Sequence, residues 1–231
     1  SEINFFYKKK LGDPKYIFFF DLNLVYVNKK ERFFINQIKK LNKSIYFHHD
    51  LKNINLKNLI IVPYVIHFDK KLLNKNILIG PKYCLFKKQI VQLTKKRPKT
   101  KKIITICFGG SDPMNLTKKT LVELIQNFKN KNYKIIAIVG KLYLKERLNE
   151  LIYLSKKNKS IKVYKNPKNI YPLISSSKIS IVNDGNIKYE LCALRVPFIL
   201  LSNNKITHKF SLIFYKNFKC FFNQKFEYQL K

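Results

Sequence analysis

The run Gly109-Gly110-Ser111-Asp112-Pro113 carries the most specific local chemistry in the chain. Two glycines after an apolar stretch permit positive φ and let backbone amides approach an anion closely. A helical pattern begins directly afterwards, so loop amides and a helix N-terminus can together cradle a diphosphate. Pro113 suits the first helical position, and Asp112 or Ser111 suits the cap. The charge on Asp112 would repel a phosphate on the helix end. Capping is therefore assigned to Asp112, and anion contact to the amides and hydroxyl at Gly110 and Ser111. An ordinary capped strand–helix turn uses the same residues. The run is neither a P-loop nor a dinucleotide fingerprint, because the Lys-Ser/Thr ending and the third glycine are absent.

Glu190 is the second candidate. It lies about one turn into a helix that follows Asn183-Asp184-Gly185-Asn186. A carboxylate there can accept hydrogen bonds from both hydroxyls of a ribose. A capping-box Glu must sit three residues after its cap, and a cap at Asp184 or Asn186 puts Ile187 or Tyr189 there instead. Glu190 flanks the stripe Ile187, Leu191, Leu194, which makes it half-buried and in need of a partner, either a ligand or a structural cation. Asn204 and His208 are four apart and share a helix face if residues 205–215 are helical. They read as a polar pair facing a ligand, or as a loop Asn and a surface His. His48-His49-Asp50 suggests a metal or a base, but neighbouring strand residues point to opposite faces and no third ligand has a matching spacing, so no metal is expected. No Ser-His-Asp order or nucleophile elbow is visible. Cys84, Cys107, Cys192 and Cys220 sit in apolar runs and read as small core residues.

These residues need elements to hold them. The chain reads as strands alternating with amphipathic helices. Strands are expected at 16–20, 44–47, 59–63, 77–79, 102–108, 133–139, 161–164, 179–182 and 198–201. Helices are expected at 31–40, 115–128, 145–154, 170–175, 187–194 and 205–215. Such repeats give a parallel sheet with helices on both faces, whose ligands bind beyond the carboxyl ends of the strands. The glycines and the scarce acids cluster at those ends. The basic run at 95–102 is expected to be a linker between a partial N-terminal Rossmann-like domain, 1–94, and a nucleotide-binding one, 103–231.

Composition bounds the rest. Of 231 residues, 46% are hydrophobic and 14% aromatic, which excludes wholesale disorder. Lys plus Arg is 47 against 13 Asp plus Glu, a net charge of +34. Such charge can mark a nucleic-acid binder. However, the Lys are evenly spread, Arg is confined to Arg32, Arg97, Arg147 and Arg195, and the densest basic run has no interleaved aromatics. Abundant Lys, Asn and Ile with only six Gly point instead to an AT-rich genome. Specific nucleic-acid binding is not expected, although weak binding at low salt follows from charge alone. No apolar run is long enough to span a bilayer and no signal peptide is visible, so a cytoplasmic address is expected. A basic surface suits peripheral contact with an anionic membrane, but no amphipathic anchor stands out.

Taken together, Gly80-Pro81-Lys82-Tyr83, Gly109-Gly110-Ser111-Asp112-Pro113, Asp184-Gly185-Asn186, Tyr189-Glu190-Leu191, Val196-Pro197 and Asn204 resemble the UDP-sugar hydrolases of pseudaminic acid synthesis. That group includes the spore-coat polysaccharide proteins and is related to the lipid II N-acetylglucosaminyltransferases. The resemblance implies a GT-B-like α/β fold: two Rossmann-like domains with parallel sheets and UDP held by the second. It implies that Glu190 binds the ribose, that Gly109 to Ser111 lie near the diphosphate, and that Asn204 is the polar residue beside the sugar. Gly185, Asn186 and His208 join the binding set, Lys82 offers a neutralising charge, and Asp21 stands where the family has an Asp-x-Tyr, here Asp21-Leu22-Asn23. The family's N-terminal Gly-rich loop and its catalytic His have no match. The chain is accordingly expected to be an N-terminally truncated piece or a form that has drifted toward binding only, with an incomplete first domain.

The function expected from these observations is hydrolysis of a UDP-linked amino sugar in surface-glycan synthesis, with no cofactor. A UDP-sugar glycosyltransferase, a non-catalytic nucleotide-binding remnant and a basic nucleic-acid binder are the alternatives.

Overall fold

Isoleucine, valine and threonine dominate Ile103–Cys107 and Lys134–Val139, and these β-branched stretches form strands buried on both faces. In the computed structural model they lie at the centre of a parallel sheet. The structure describes residues 18–22, 44–48, 59–64, 77–95, 99–127, 132–202, 205–218 and 221–222. The chain divides into two compact units, 1–85 and 86–231.

Among the described residues the first unit contains four parallel strands in sequential order: β1 (Phe18–Leu22), β2 (Ser44–His48), β3 (Leu59–Val62) and β4 (Ile77–Ile79). A 3-10 turn, Pro81–Tyr83, follows β4, with Gly80 at φ 115° before it. The expected helix at 31–40 lies outside the described residues.

The second unit begins with a helix, α1 (Lys88–Lys95), that the sequence reading did not anticipate. Then come β5 (Ile103–Cys107), α2 (Leu116–Asn127), β6 (Lys134–Val139), α3 (Lys145–Lys157), β7 (Ile161–Lys165), α4 (Tyr171–Ser175), β8 (Ile179–Asn183), α5 (Ile187–Ala193), β9 (Phe198–Leu201), α6 (Lys205–Phe218) and β10 (Phe221–Phe222). All six strands are parallel, in the order β10-β9-β8-β5-β6-β7. Numbered within the unit, this is 3-2-1-4-5-6 read from the other edge, the doubly wound order of dinucleotide-binding folds. The α/β class and two all-parallel, Rossmann-like units match the sequence expectation.

One face of this sheet packs Ile104, Ile106, Ile135 and Val139 against Leu116, Leu121 and Leu124 of α2 and Leu148 and Leu151 of α3. Phe214 of α6 is fully buried; it meets Tyr189 edge-on at 5.3 Å and lies 6.2 Å from Phe198. The edge strand β7 turns Lys162 and Lys165 outward, which blunts it against pairing with other chains.

The unit boundary falls between Leu85 and Phe86, ahead of the basic run at 95–102. Lys95 ends α1, and the Lys101 amide donates to the Ser176 carbonyl at 2.8 Å. Both flanks of the run, at Lys95 and at Lys101, belong to the second unit, and residues 96–98 lie outside the described residues. No helix among the described residues is long and apolar enough to cross a membrane.

Candidate functional site

In a doubly wound sheet the crossovers reverse direction once, and the loops on either side of that reversal splay apart into a crevice. Here the reversal lies between β5 and β8, whose register pairs Cys107 with Val182. The loop after β5 is Phe108 to Ser111, and the one after β8 is Asp184 to Asn186. The two loops that the sequence marks for anion and nucleotide contact therefore flank the switch point.

The β5 loop is held from three sides. Gly109 has φ 83°, which a side chain would strain. Asn183, at the end of β8, reaches across and donates from Nδ2 to the Phe108 carbonyl at 3.3 Å. From β6, Gly140 presses on the loop so closely that a Cβ there would lie 2.4 Å from Gly110 Cα and 2.7 Å from its carbonyl oxygen. The Leu142 amide also donates to that oxygen at 3.1 Å. By contrast, a Cβ on Gly110 itself would meet nothing within 4 Å. Gly110 and Ser111 are exposed, and no hydrogen bond among the described residues occupies their amides. An anion can reach them.

Asp112 does cap the next helix, by a route the sequence reading did not foresee. Its carboxylate is buried and accepts from the Leu116 amide at 2.9 Å and the Thr117 amide at 2.8 Å. The helix starts at Leu116, so Pro113 is not its first residue. Instead Pro113 is the second residue of a turn closed by the Asn115 amide on the Asp112 carbonyl at 3.0 Å, a position that proline's fixed φ favours. Arg147 secures this turn by donating to the carbonyls of Asp112 and Pro113 at 3.0 and 3.2 Å. Because Asp112 occupies the first free amides of α2, an anion in the crevice has the loop amides to bind and not this helix end.

Glu190, on the first turn of α5, is half-buried, and Tyr171 Oη donates to its Oε1 at 3.0 Å. The partner is a phenol and not the cation that a structural salt bridge requires. Burial raises the Glu190 carboxyl above its ordinary range, while the Tyr171 hydroxyl and the Lys87 charge pull the other way. Tyr171 is itself pushed up to about 12, first by burial and then by the Glu190 charge. Lys87 lies 5.9 Å from the Tyr171 ring centroid, so a cation, a phenol and a carboxylate gather here. Burial raises the Cys107 thiol as well; a hydrogen bond with the Gly109 backbone lowers it, and the charges of Glu190 and Asp112 raise it further.

Asp184 forms a buried ion pair with Lys188 one turn later. The Lys188 ammonium lies 5.2 Å from the Tyr189 ring centroid and 5.1 Å from that of Phe214. The pair lies in the loop after β8, in which Gly185 is half-buried and Asn186 is exposed. His208 is half-buried on α6. Asn204 lies outside the described residues. Asp21 is the fourth residue of β1, described through its backbone. Lys82 is exposed on the 3-10 turn of the first unit, 4.9 Å from the Tyr83 ring centroid. His48 ends β2, and His49 and Asp50 lie outside the described residues. No group of three or more metal-ligating side chains occurs among the described residues. Cys84, Cys107 and Cys192 are free thiols, and Cys84 donates to the Pro63 carbonyl.

Sequence reasoning missed Asn183, Gly140 and Tyr171 as parts of this site. Asn183 ends β8 and Gly140 directly follows β6, which was a usable signal. Nothing local marks Tyr171.

No protein-family model matches the chain. An uncharacterized protein of Methanocaldococcus jannaschii is 30% identical over 192 residues, which is 76% of this chain and 39% of the relative. Two structures of the UDP-GlcNAc 2-epimerase from the same organism are similar to it, one of them in complex with UDP-GlcNAc and UDP. They are 16% and 17% identical, with TM-scores of 0.41 and 0.42; each covers 62% of this chain, which spans 40% and 41% of theirs. The chain thus spans about two fifths of the length of the relatives it matches.

Proposed function

We propose that the second unit binds the nucleoside diphosphate portion of a UDP-sugar at the β5–β8 switch point, and that the protein acts on that sugar nucleotide. One observation carries this reading: the glycine loop with open amides follows β5, and the helix that carries the half-buried Glu190 follows β8, on either side of the switch point in the strand order of the second unit. In this reading the amides of Gly110 and Ser111 contact the diphosphate and Glu190 accepts from the ribose hydroxyls. Gly109, Gly185 and Asn186 shape the loops around it.

The reaction proposed is hydrolysis. A water oxygen bonds to the anomeric carbon, the bond from that carbon to the phosphate oxygen breaks, and its electron pair leaves with UDP while the water proton passes to solvent or a base. Amides directed at the diphosphate would stabilise the charge that develops on the leaving group. Asn204 completes the proposed set on the strength of the sequence resemblance, and His208 by its spacing four residues on.

Calorimetric titration with UDP tests the binding, and release of UDP from a UDP-linked amino sugar without acceptor tests the chemistry. Saturable binding and acceptor-independent release are expected. Release only when a sugar or lipid acceptor is added would replace hydrolysis with transfer. Absence of UDP binding would remove the whole reading.

A further inference from the structure

The loop after β6, Lys141-Leu142-Tyr143-Leu144-Lys145, presents two leucines to solvent between two lysines. Leu142 is 71% exposed and Leu144 is 52% exposed. Their exposure is not slack in the chain, because Tyr143 between them is buried and its hydroxyl donates to Asn115 Oδ1 at 3.0 Å. Burial, with the charge of Asp112 adding to it, pushes that phenol up to about 12. The Tyr143 amide closes a turn on the Gly140 carbonyl at 3.3 Å, and the Leu142 amide is bonded to Gly110. Leu144 is extended at φ −61°, ψ 136° and leads directly into α3. Leu142 lies in the turn and Leu144 in the extended residue ahead of α3, and the buried Tyr143 between them leaves both leucines exposed.

Lys141 and Lys145 are both exposed beside them. Glu146 is the one acid in the stretch, and Arg147 next to it is turned onto the Asp112 and Pro113 carbonyls. The loop thus offers an apolar tip with a basic collar, on a chain whose net charge is +34. Two leucines cannot supply the roughly 800 Å² per partner of a stable protein interface. A bilayer asks for less: apolar side chains that enter the headgroup boundary and cations that meet anionic lipid.

We propose that this loop docks the second unit onto an anionic lipid surface, with Leu142 and Leu144 inserted and Lys141 and Lys145 on the headgroups. The inference does not depend on the nucleotide reading.

Sedimentation with vesicles made of equal parts phosphatidylcholine and phosphatidylserine tests it, with phosphatidylcholine vesicles as the neutral reference. The Leu142→Ser/Leu144→Ser variant keeps the net charge and changes only exposed side chains. It is expected to lower partitioning onto the anionic vesicles about tenfold or more. Leu85→Ser, at a leucine 73% exposed elsewhere on the chain, is expected to partition like the wild type. Lys141→Gln/Lys145→Gln is also expected to lower partitioning, about tenfold or more. Equal partitioning of the double-serine variant and the wild type would overturn the proposal, because charge alone would then account for binding. An equal loss in Leu85→Ser, or no binding of the wild type to anionic vesicles, would overturn it too.

Discussion

Gly140→Ala and Gly110→Ala add the same methyl group to opposite sides of one contact, and the structure gives them opposite outcomes. At Gly140 the new Cβ would lie 2.4 Å from Gly110 Cα, 2.7 Å from its oxygen and 2.9 Å from its carbonyl carbon. Carbon atoms pack at about 3.5–4.0 Å, so roughly 1 Å of overlap has to be relieved. All three atoms are backbone, so the relief has to come from moving the loop or β6. Overpacking of this kind costs about 3 kcal/mol, the upper part of its usual range. For a chain of this size that lowers Tm by roughly 6–12 °C. The loop displaced in this way is the proposed diphosphate cradle, and a misplacement near 1 Å is expected to weaken UDP about tenfold or more. At Gly110 the methyl group enters open space and the backbone is not in the left-handed region. Stability is expected to hold or rise by up to about 1 kcal/mol. UDP affinity is nevertheless expected to fall about tenfold or more, because the methyl group occupies the surface over which the anion must approach. Thermal melts and UDP titrations of both variants give the four numbers needed. Wild-type melting in Gly140→Ala would refute the close contact, and wild-type UDP affinity in Gly110→Ala would refute anion binding at this loop.

The remaining expectations concern Glu190 and the two buried carboxylates. Burial raises the Glu190 carboxyl, so the folded protein holds its proton more tightly than the unfolded chain. Its stability contribution is then full below the unfolded value of 4.5 and is lost as pH rises through the folded one. Glu190→Gln is expected to gain Tm relative to wild type as pH rises through that window; a pH-independent difference would contradict it. UDP affinity should run the other way in the wild type, strengthening as the carboxylate ionises, and should be flat in Glu190→Gln. Tyr171→Phe removes a hydrogen bond that favours the ionised form, so it should shift the UDP pH profile upward; an unmoved profile would show that the phenol does not position Glu190. Asp112→Ala strips the cap from the Leu116 and Thr117 amides and should cost about 2 kcal/mol in chemical denaturation. Lys188→Met leaves the Asp184 carboxylate buried without its cation and should cost about 3–5 kcal/mol, most of it recovered in Asp184→Asn/Lys188→Met; an equally unstable double variant would contradict the pairing.

The strands of the second unit were legible because β-branched runs such as Ile103–Cys107 leave no competing helical period. The Asp112 cap was legible because short acids ahead of a helical stripe have few other uses. The turn from Asp112 to Asn115 was not, because Arg147 secures it from another element. Helix α1 escaped notice because it is only 8 residues long and ends at Lys95, where the basic run begins. The unit boundary at Leu85 was not legible either: charge drew attention to the run at 95–102, while the bond of Lys101 to Ser176 is made by its backbone. The switch point follows from strand order, which alternation alone does not specify. Tyr171 is 19 residues from Glu190, and only the fold brings them together.

The account stands most directly on the amides of Gly110 and Ser111. Titrating UDP into the isotopically labelled chain and following individual backbone resonances reads them one by one. Saturable shifts at Gly110 and Ser111, accompanied by shifts around Glu190, are the expected result. Resonances there that stay fixed at millimolar UDP, or that move no more than those of the exposed lysines, would contradict it.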